Sequence, residues 1–174
     1  MIRSIPANYQ KAIKFIIKFL AIYFVLYILD LTWIKNNFPK TIFFTDLVAY
    51  QSKWMLGIFS ETVQLTWDEN YPKIYLSNSE RTVLAIFAGC NGVSVYIVFL
   101  SFALAFFRPS VKLFLFVLLA LIVLNFSNVF RALSLYYISL NMPGHLYFYH
   151  KYVFNVVIFL EVVALCYYAT KKIH

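Results

Sequence analysis

From Val83 to Phe107 the chain runs without a charged residue, and three further stretches are nearly as apolar: Phe15 to Ile34, Leu113 to Phe130, and Tyr152 to Thr170. A run of about 20 apolar residues can cross the hydrocarbon layer only as a helix, because a helix satisfies its own backbone polar groups where water is absent. The sequence therefore predicts an all-α integral membrane protein, a single membrane domain over 1–174 with about four transmembrane helices (about 15–34, 83–107, 113–130 and 152–170). Composition agrees: 63% of the chain is hydrophobic and 13% charged, about half the charged share of a soluble domain.

The first apolar stretch follows Arg3, Lys11, Lys14 and Lys18, as a signal peptide would. Bulky Leu31, Trp33 and Ile34 close it where cleavage would need small residues, so it is expected to be a retained anchor. Short loops that keep lysine and arginine face the cytoplasm. The amino terminus, the Arg108 to Lys112 link and the tail with Lys171 and Lys172 hold basic residues and no acidic ones, which predicts both termini inside a cell membrane. In the loop 35–82, Lys35, Lys40, Lys53, Lys73 and Arg81 balance Asp46, Glu61, Asp68, Glu69 and Glu80, as expected of the outer side. The net charge of +8 is then a cytoplasmic excess that calls for no nucleic acid.

Within this loop, Thr41 to Ser60 mixes aromatic and aliphatic residues with Asp46, Gln51 and Lys53, the pattern of an amphipathic interfacial helix. Val63, Leu65 and Trp67, a turn through Asp68 to Pro72, then Ile74 and Leu76 suggest a small β-hairpin. The link Ser139 to Lys151 carries Pro143, Gly144 and the cluster Tyr147, Phe148 and Tyr149, which fits interfacial anchoring. Cys90 and Cys166 fall near opposite ends of their spans, about 20 Å apart by helical rise, too far for a disulfide.

Three rare residues fall at one predicted face: Cys90, Arg131 and His150. Each has a plain reading alone. Cys90, between Gly89 and Gly92, suits a small-residue packing face; Arg131 suits an interfacial stop, with Ser127 and Asn128 a turn earlier to orient it; His150 suits an amphipathic surface. Together they suit chemistry, because an imidazole and a guanidinium beside a thiol favour the thiolate nucleophile, and the arginine stays charged to meet an oxyanion. His145 competes for the histidine role, but beside Pro143 and Gly144 it is expected to be a solvated loop residue; His174 falls at the opposite face. Asp30 and Glu161 are expected to be structural, Asp30 within reach of Arg131 or Lys151 and Glu161 paired with a polar group on another span.

The segments Ala88-Gly89-Cys90-Asn91-Gly92-Val93-Ser94-Val95, Asn128-Val129-Phe130-Arg131-Ala132 and Phe148-Tyr149-His150-Lys151-Tyr152-Val153-Phe154 resemble the Cys, Arg and His motifs of the exosortase and archaeosortase family, most closely its short exosortase F type. The resemblance covers Phe87 to Phe154. It implies a membrane cysteine transpeptidase with Cys90 as nucleophile, His150 as acid and base, and Arg131 as stabilising cation. Such an enzyme cleaves a carboxy-terminal sorting signal of exported proteins and transfers them to a cell-surface acceptor, whose identity the sequence does not specify. No metal or organic cofactor is implied. Longer members have about twice as many spans, and several carry an acidic residue after the histidine, where this chain has Lys151. An intramembrane cysteine protease that releases a free acid, and a non-enzymatic assembly subunit, are the alternatives.

Overall fold

The computed structural model describes residues 7–37, 43–59, 62–71, 73–79 and 81–172. Arg3, Lys40, Thr41, Ser60, Glu61, Pro72, Glu80 and His174, invoked above, lie outside them. Helix α1 (Ala7–Asn37) is followed by α2 (Phe43–Ile58), strands β1 (Gln64–Trp67), β2 (Lys73–Ser77) and β3 (Thr82–Phe87), and helices α3 (Val93–Phe106) and α4 (Val111–Asn141). The last segment begins with a 3-10 turn (Pro143–His145) and one α-helical turn, α5 (Leu146–Phe148). It widens into a π-helical turn (Tyr149–Val153) and continues as α6 (Phe154–Lys172).

The fold is mostly helical, and among the described residues three helices are long and apolar enough to cross a membrane: Tyr9–Trp33, Val111–Asn141 and Pro143–Lys172. The expected span 83–107 is not one helix. Its first part is β3, and the helical remainder, Val93–Phe106, is about 21 Å long at 1.5 Å per residue, short of the roughly 30 Å hydrocarbon layer. The cause is local. Thr82–Phe87 finds an antiparallel partner in β2, with Ile74 opposite Ile86 and Leu76 opposite Leu84, and Gly92 at φ 82° ends the connection in a left-handed conformation that helices do not use. The helices around Arg131 and His150 are longer than the apolar runs, because α4 continues ten residues past Arg131 to Asn141 and the final segment begins at Pro143.

Strands β1, β2 and β3 form one antiparallel sheet in that order. In its β1–β2 turn the Asp68 carboxylate accepts from the Tyr75 hydroxyl (2.6 Å) and from the backbone N–H groups of Asn70 (2.8 Å) and Tyr71 (3.1 Å). The Tyr75 hydrogen bond is the main cause that holds this carboxyl below its usual range. Helix α2 buries Thr45, Val48, Ala49, Ser52 and Leu56. Val48 and Leu56 join Ile74, Leu76, Ile86, Val129, Leu133 and Tyr136 in one core, so α2 and the sheet clasp the carboxy-terminal half of α4.

The amino-terminal half of α4 serves a different core, with Leu124 and Ala120 against Phe99 of α3 and Val162 of α6. Nearer the other end, Leu113, Ala103, Phe107 and Ala169 close the bundle. Helix α1 packs mainly along α3, where Phe15 meets Phe102 and Phe106 edge-on. The rest of its apolar surface faces outward, as lipid allows.

Two consequences are testable. A Cβ on Gly92 would stand 3.1 Å from the Tyr96 hydroxyl and 3.2 Å from Asn128 Cγ, on a backbone that L residues avoid. Gly92→Ala is therefore expected to cost at least about 1–2 kcal/mol, read as a lower melting temperature in detergent. The Asp68 carboxyl is lowered in the fold, so its contribution is complete at neutral pH and is lost as pH falls below about 4. Amide exchange in 64–77 should then rise before exchange in α4, and Asp68→Asn should remove that pH dependence.

Candidate active site

Cys90 lies on a 3-10 turn (Ala88–Cys90) between β3 and α3, outside the helices, and not on a span as the sequence suggested. Two side chains shape this connection. The Asn91 carbonyl Oδ1 accepts from Val93 N–H (3.1 Å) and its Nδ2 donates to Thr45 Oγ1 of α2 (3.3 Å), so one residue takes up the first N–H of α3 and ties this connection to the clasp. Asn128 of α4 donates from Nδ2 to the Cys90 carbonyl oxygen (3.2 Å). The approach is possible because Gly92 has no side chain at that point.

Arg131 is one helical turn beyond Asn128 on α4 and only 8% exposed. His150 sits in the π-helical turn, a widening of the helix that recurs at functional sites. Asn155 Nδ2 donates to the Lys151 carbonyl (2.8 Å) and so satisfies a backbone acceptor within that turn. Lys151, which follows the histidine, points its Nζ to the Tyr147 hydroxyl (2.6 Å).

The structure brings Cys90, Arg131 and His150 together. His150 Nε2 is 3.3 Å from Cys90 Sγ and 3.2 Å from Arg131 Nη2. An arginine can only donate, so the hydrogen bond from Arg131 requires an unprotonated Nε2, with the imidazole proton on Nδ1. The base position of the imidazole therefore faces the thiol. Burial pushes the Cys90 thiol above its usual range, while the charge of Arg131 and a backbone hydrogen bond from Phe87 pull the other way. Burial wins, so the thiolate expected from the residue types alone is not the resting form.

Two grooves reach Arg131. One, about 250 Å³, runs between α3 and α6 past Ser94, Val98, Asn155 and Phe159. The other, about 430 Å³, is bounded by Met55, Phe130, Phe154 and Val157. A larger apolar groove of about 470 Å³ between α2, α3 and α4 does not include any of the three residues.

Some of the remaining expectations agree with the structure and some do not. His145 is exposed on its 3-10 turn, and Cys166 packs beside the Phe99 cluster; neither joins the site. Ser127 does not orient Arg131; its hydroxyl donates to Glu161 Oε1 (2.7 Å), which gives Glu161 a polar partner on another helix. Asp30 makes no ion pair with Arg131 or Lys151 among the described residues. Asn128 was expected beside Arg131 and serves Cys90 instead. The π-turn and Asn155 were not anticipated, and the only trace of them is an asparagine five residues after the histidine. No group of metal-ligating side chains occurs among the described residues.

A family model described as transmembrane exosortase (Exosortase_EpsH) matches residues 8–168, nearly the whole chain and all three site residues. The chain belongs to this family. Comparison with curated proteins and with solved structures finds no match. A transmembrane exosortase is a membrane protein, and membership is consistent with a cysteine peptidase-like enzyme with a transpeptidase-type role.

The resting thiol gives a direct test in Cys166→Ala protein, where only Cys90 reacts. Iodoacetamide alkylation should keep accelerating with pH past about 9, the ordinary thiol midpoint. Arg131→Gln removes the opposing positive charge, which moves the midpoint higher still and slows alkylation at pH 8 by roughly three- to tenfold. A midpoint unchanged or lowered in that variant contradicts the electrostatic role of Arg131.

Proposed function

We propose that this exosortase is a membrane cysteine transpeptidase of the short exosortase F type, acting on exported proteins through a thioester on Cys90. The observation that carries the reading is the convergence of Cys90 Sγ and Arg131 Nη2 on one nitrogen of His150, from three separate segments. A substrate enters with its carboxy-terminal sorting signal beside that nitrogen. Sγ attacks the scissile carbonyl carbon as its proton passes to His150 Nε2, and the carbonyl oxygen becomes an oxyanion.

Protonated Nε2 can no longer accept from Arg131, and two cations in contact repel. The guanidinium is released from His150 at the moment an oxyanion needs a positive partner. Collapse of the tetrahedral intermediate breaks the C–N bond, Nε2–H protonates the leaving amine, and an acyl-thioester remains. His150, again neutral, takes a proton from the acceptor nucleophile, which attacks the thioester and regenerates the thiol.

In this reading α3, although shorter than the hydrocarbon layer, crosses beside the three longer helices where the bilayer thins around it, giving four spans, and the sheet with α2 stands outside, so that the site opens on the outer face of the cell membrane. Support for this orientation is the distribution of lysine and arginine: Arg108, Lys112, Lys171 and Lys172 lie at the end of the bundle opposite the clasp, where α3 meets α4 and α6 ends. No cofactor or nucleic acid has a part. The acceptor is a cell-surface molecule, and the bilayer supplies the path along which substrate and acceptor reach Arg131.

The test is processing of exported proteins in cells. Cys90→Ala and His150→Ala should each abolish it, with a loss of at least about a thousandfold where turnover is measurable, while Cys166→Ala leaves it intact. Mass spectrometry of the new carboxy terminus then separates the outcomes: an added mass supports transfer, and a free acid supports hydrolysis. Full processing by Cys90→Ala would return the chain to the class of assembly subunits.

A further inference from the structure

The side chain of Asn128 is 2% exposed, yet only half of its amide is used. Its Nδ2 donates to the Cys90 carbonyl, whereas Oδ1 is buried and accepts no hydrogen bond among the described residues. The orientation is dictated by its neighbour, because a carbonyl oxygen accepts and must therefore face the NH2 end. An idle buried acceptor destabilises a fold, and an apolar side chain of similar volume would avoid that cost. A residue that carries such a cost is accounted for by what its other end does.

The other end fixes the nucleophile. Cys90 sits on a short turn, and neither α3 nor the sheet holds its carbonyl in a regular ladder. Asn128 and Arg131 project from α4 three residues apart, so the same rigid helix holds the Cys90 backbone and, through Arg131, the Nε2 of His150. The missing side chain at Gly92 lets the amide come within reach. We infer that Asn128 is a positioning residue that sets the Cys90 sulfur at transfer distance from His150 by holding the Cys90 carbonyl. The inference rests on the proposed Cys90–His150 chemistry, and it acts through Cys90 and not through the substrate.

The experiment is a double-mutant cycle read by Cys90 alkylation with iodoacetamide at neutral pH in full-length Cys166→Ala protein, which needs no substrate. Asn128→Leu and Asn128→Asp are each made with and without His150→Ala, and rates are compared at matched amounts of folded protein. His150→Ala should slow alkylation by about tenfold through loss of the base. Each Asn128 variant should slow it to a similar degree, and the double variants should be no slower than His150→Ala alone, because a misplaced sulfur no longer uses the base.

Asn128→Leu leaves the Cys90 carbonyl without its donor, so the melting temperature of each variant is measured beside its rate to confirm that folded protein is being compared. If both Asn128 variants react at the parent rate, or if their effects multiply with that of His150→Ala, the positioning role is overturned while the thiol–imidazole pair stands. If His150→Ala itself leaves the rate unchanged, the pair fails, and the role of Asn128 fails with it. Ser52→Ala, another buried polar side chain without a partner among the described residues and with no hydrogen bond to Cys90, Arg131 or His150, serves as the unperturbed control.

Discussion

Everything at the site depends on a single nitrogen with two claimants. His150 Nε2 has one lone pair, and both the Cys90 thiol and the Arg131 guanidinium lie within hydrogen-bond range of it. While the imidazole is neutral this arrangement satisfies a buried cation that would otherwise be costly in apolar surroundings. Once the imidazole is charged the arrangement is untenable. In the proposed mechanism the contact that steadies the resting site makes proton transfer and the release of Arg131 a single event, so that removing any one member is expected to change the state of the other two.

A junction of that kind needs three independent supports, and the fold supplies them from one strut. Helix α4 carries Arg131 outright, holds the Cys90 turn through Asn128, and packs on α6 below the histidine through the Leu124 and Val162 cluster. Its two halves serve different cores, the clasp of α2 and the sheet on one side and the helical bundle on the other. The polar residues Asn125, Asn128 and Arg131 recur at three-residue steps where these cores meet. Asn125 continues the pattern by donating to Gln51 Oε1 (3.0 Å) and accepting from the Tyr96 hydroxyl (3.3 Å). Asn125, Asn128 and Arg131 each make at least one hydrogen bond to a neighbouring segment, which lowers the cost of polar side chains in apolar packing.

Much of this was legible in the residues. Long apolar runs announce spanning helices because the bilayer admits little else, and the scarcity of Cys, Arg and His in such runs makes their coincidence conspicuous. The segment before Cys90 was not legible in the same way. Val83 to Phe87 is apolar whether it crosses lipid or completes a sheet, and hydropathy does not see the β2 strand that claims it. Gly92 was read as a packing glycine, while its positive φ is a property of the folded backbone alone.

The π-helical turn shows the limit from the other side. Nothing in Tyr-His-Lys-Tyr-Val forbids an ordinary α-helix, and a regular helix would place His150 about 100° away around the axis for each residue of register change. The widened turn persists because tertiary contacts favour it: Arg131 and Cys90 draw on the imidazole, and Asn155 takes up a carbonyl in the turn. Lys151, next to the histidine, is committed to the Tyr147 hydroxyl. Among the described residues no carboxylate contacts the imidazole, which meets Cys90 and the Arg131 cation, so its alignment depends on the packing of α4 against α6.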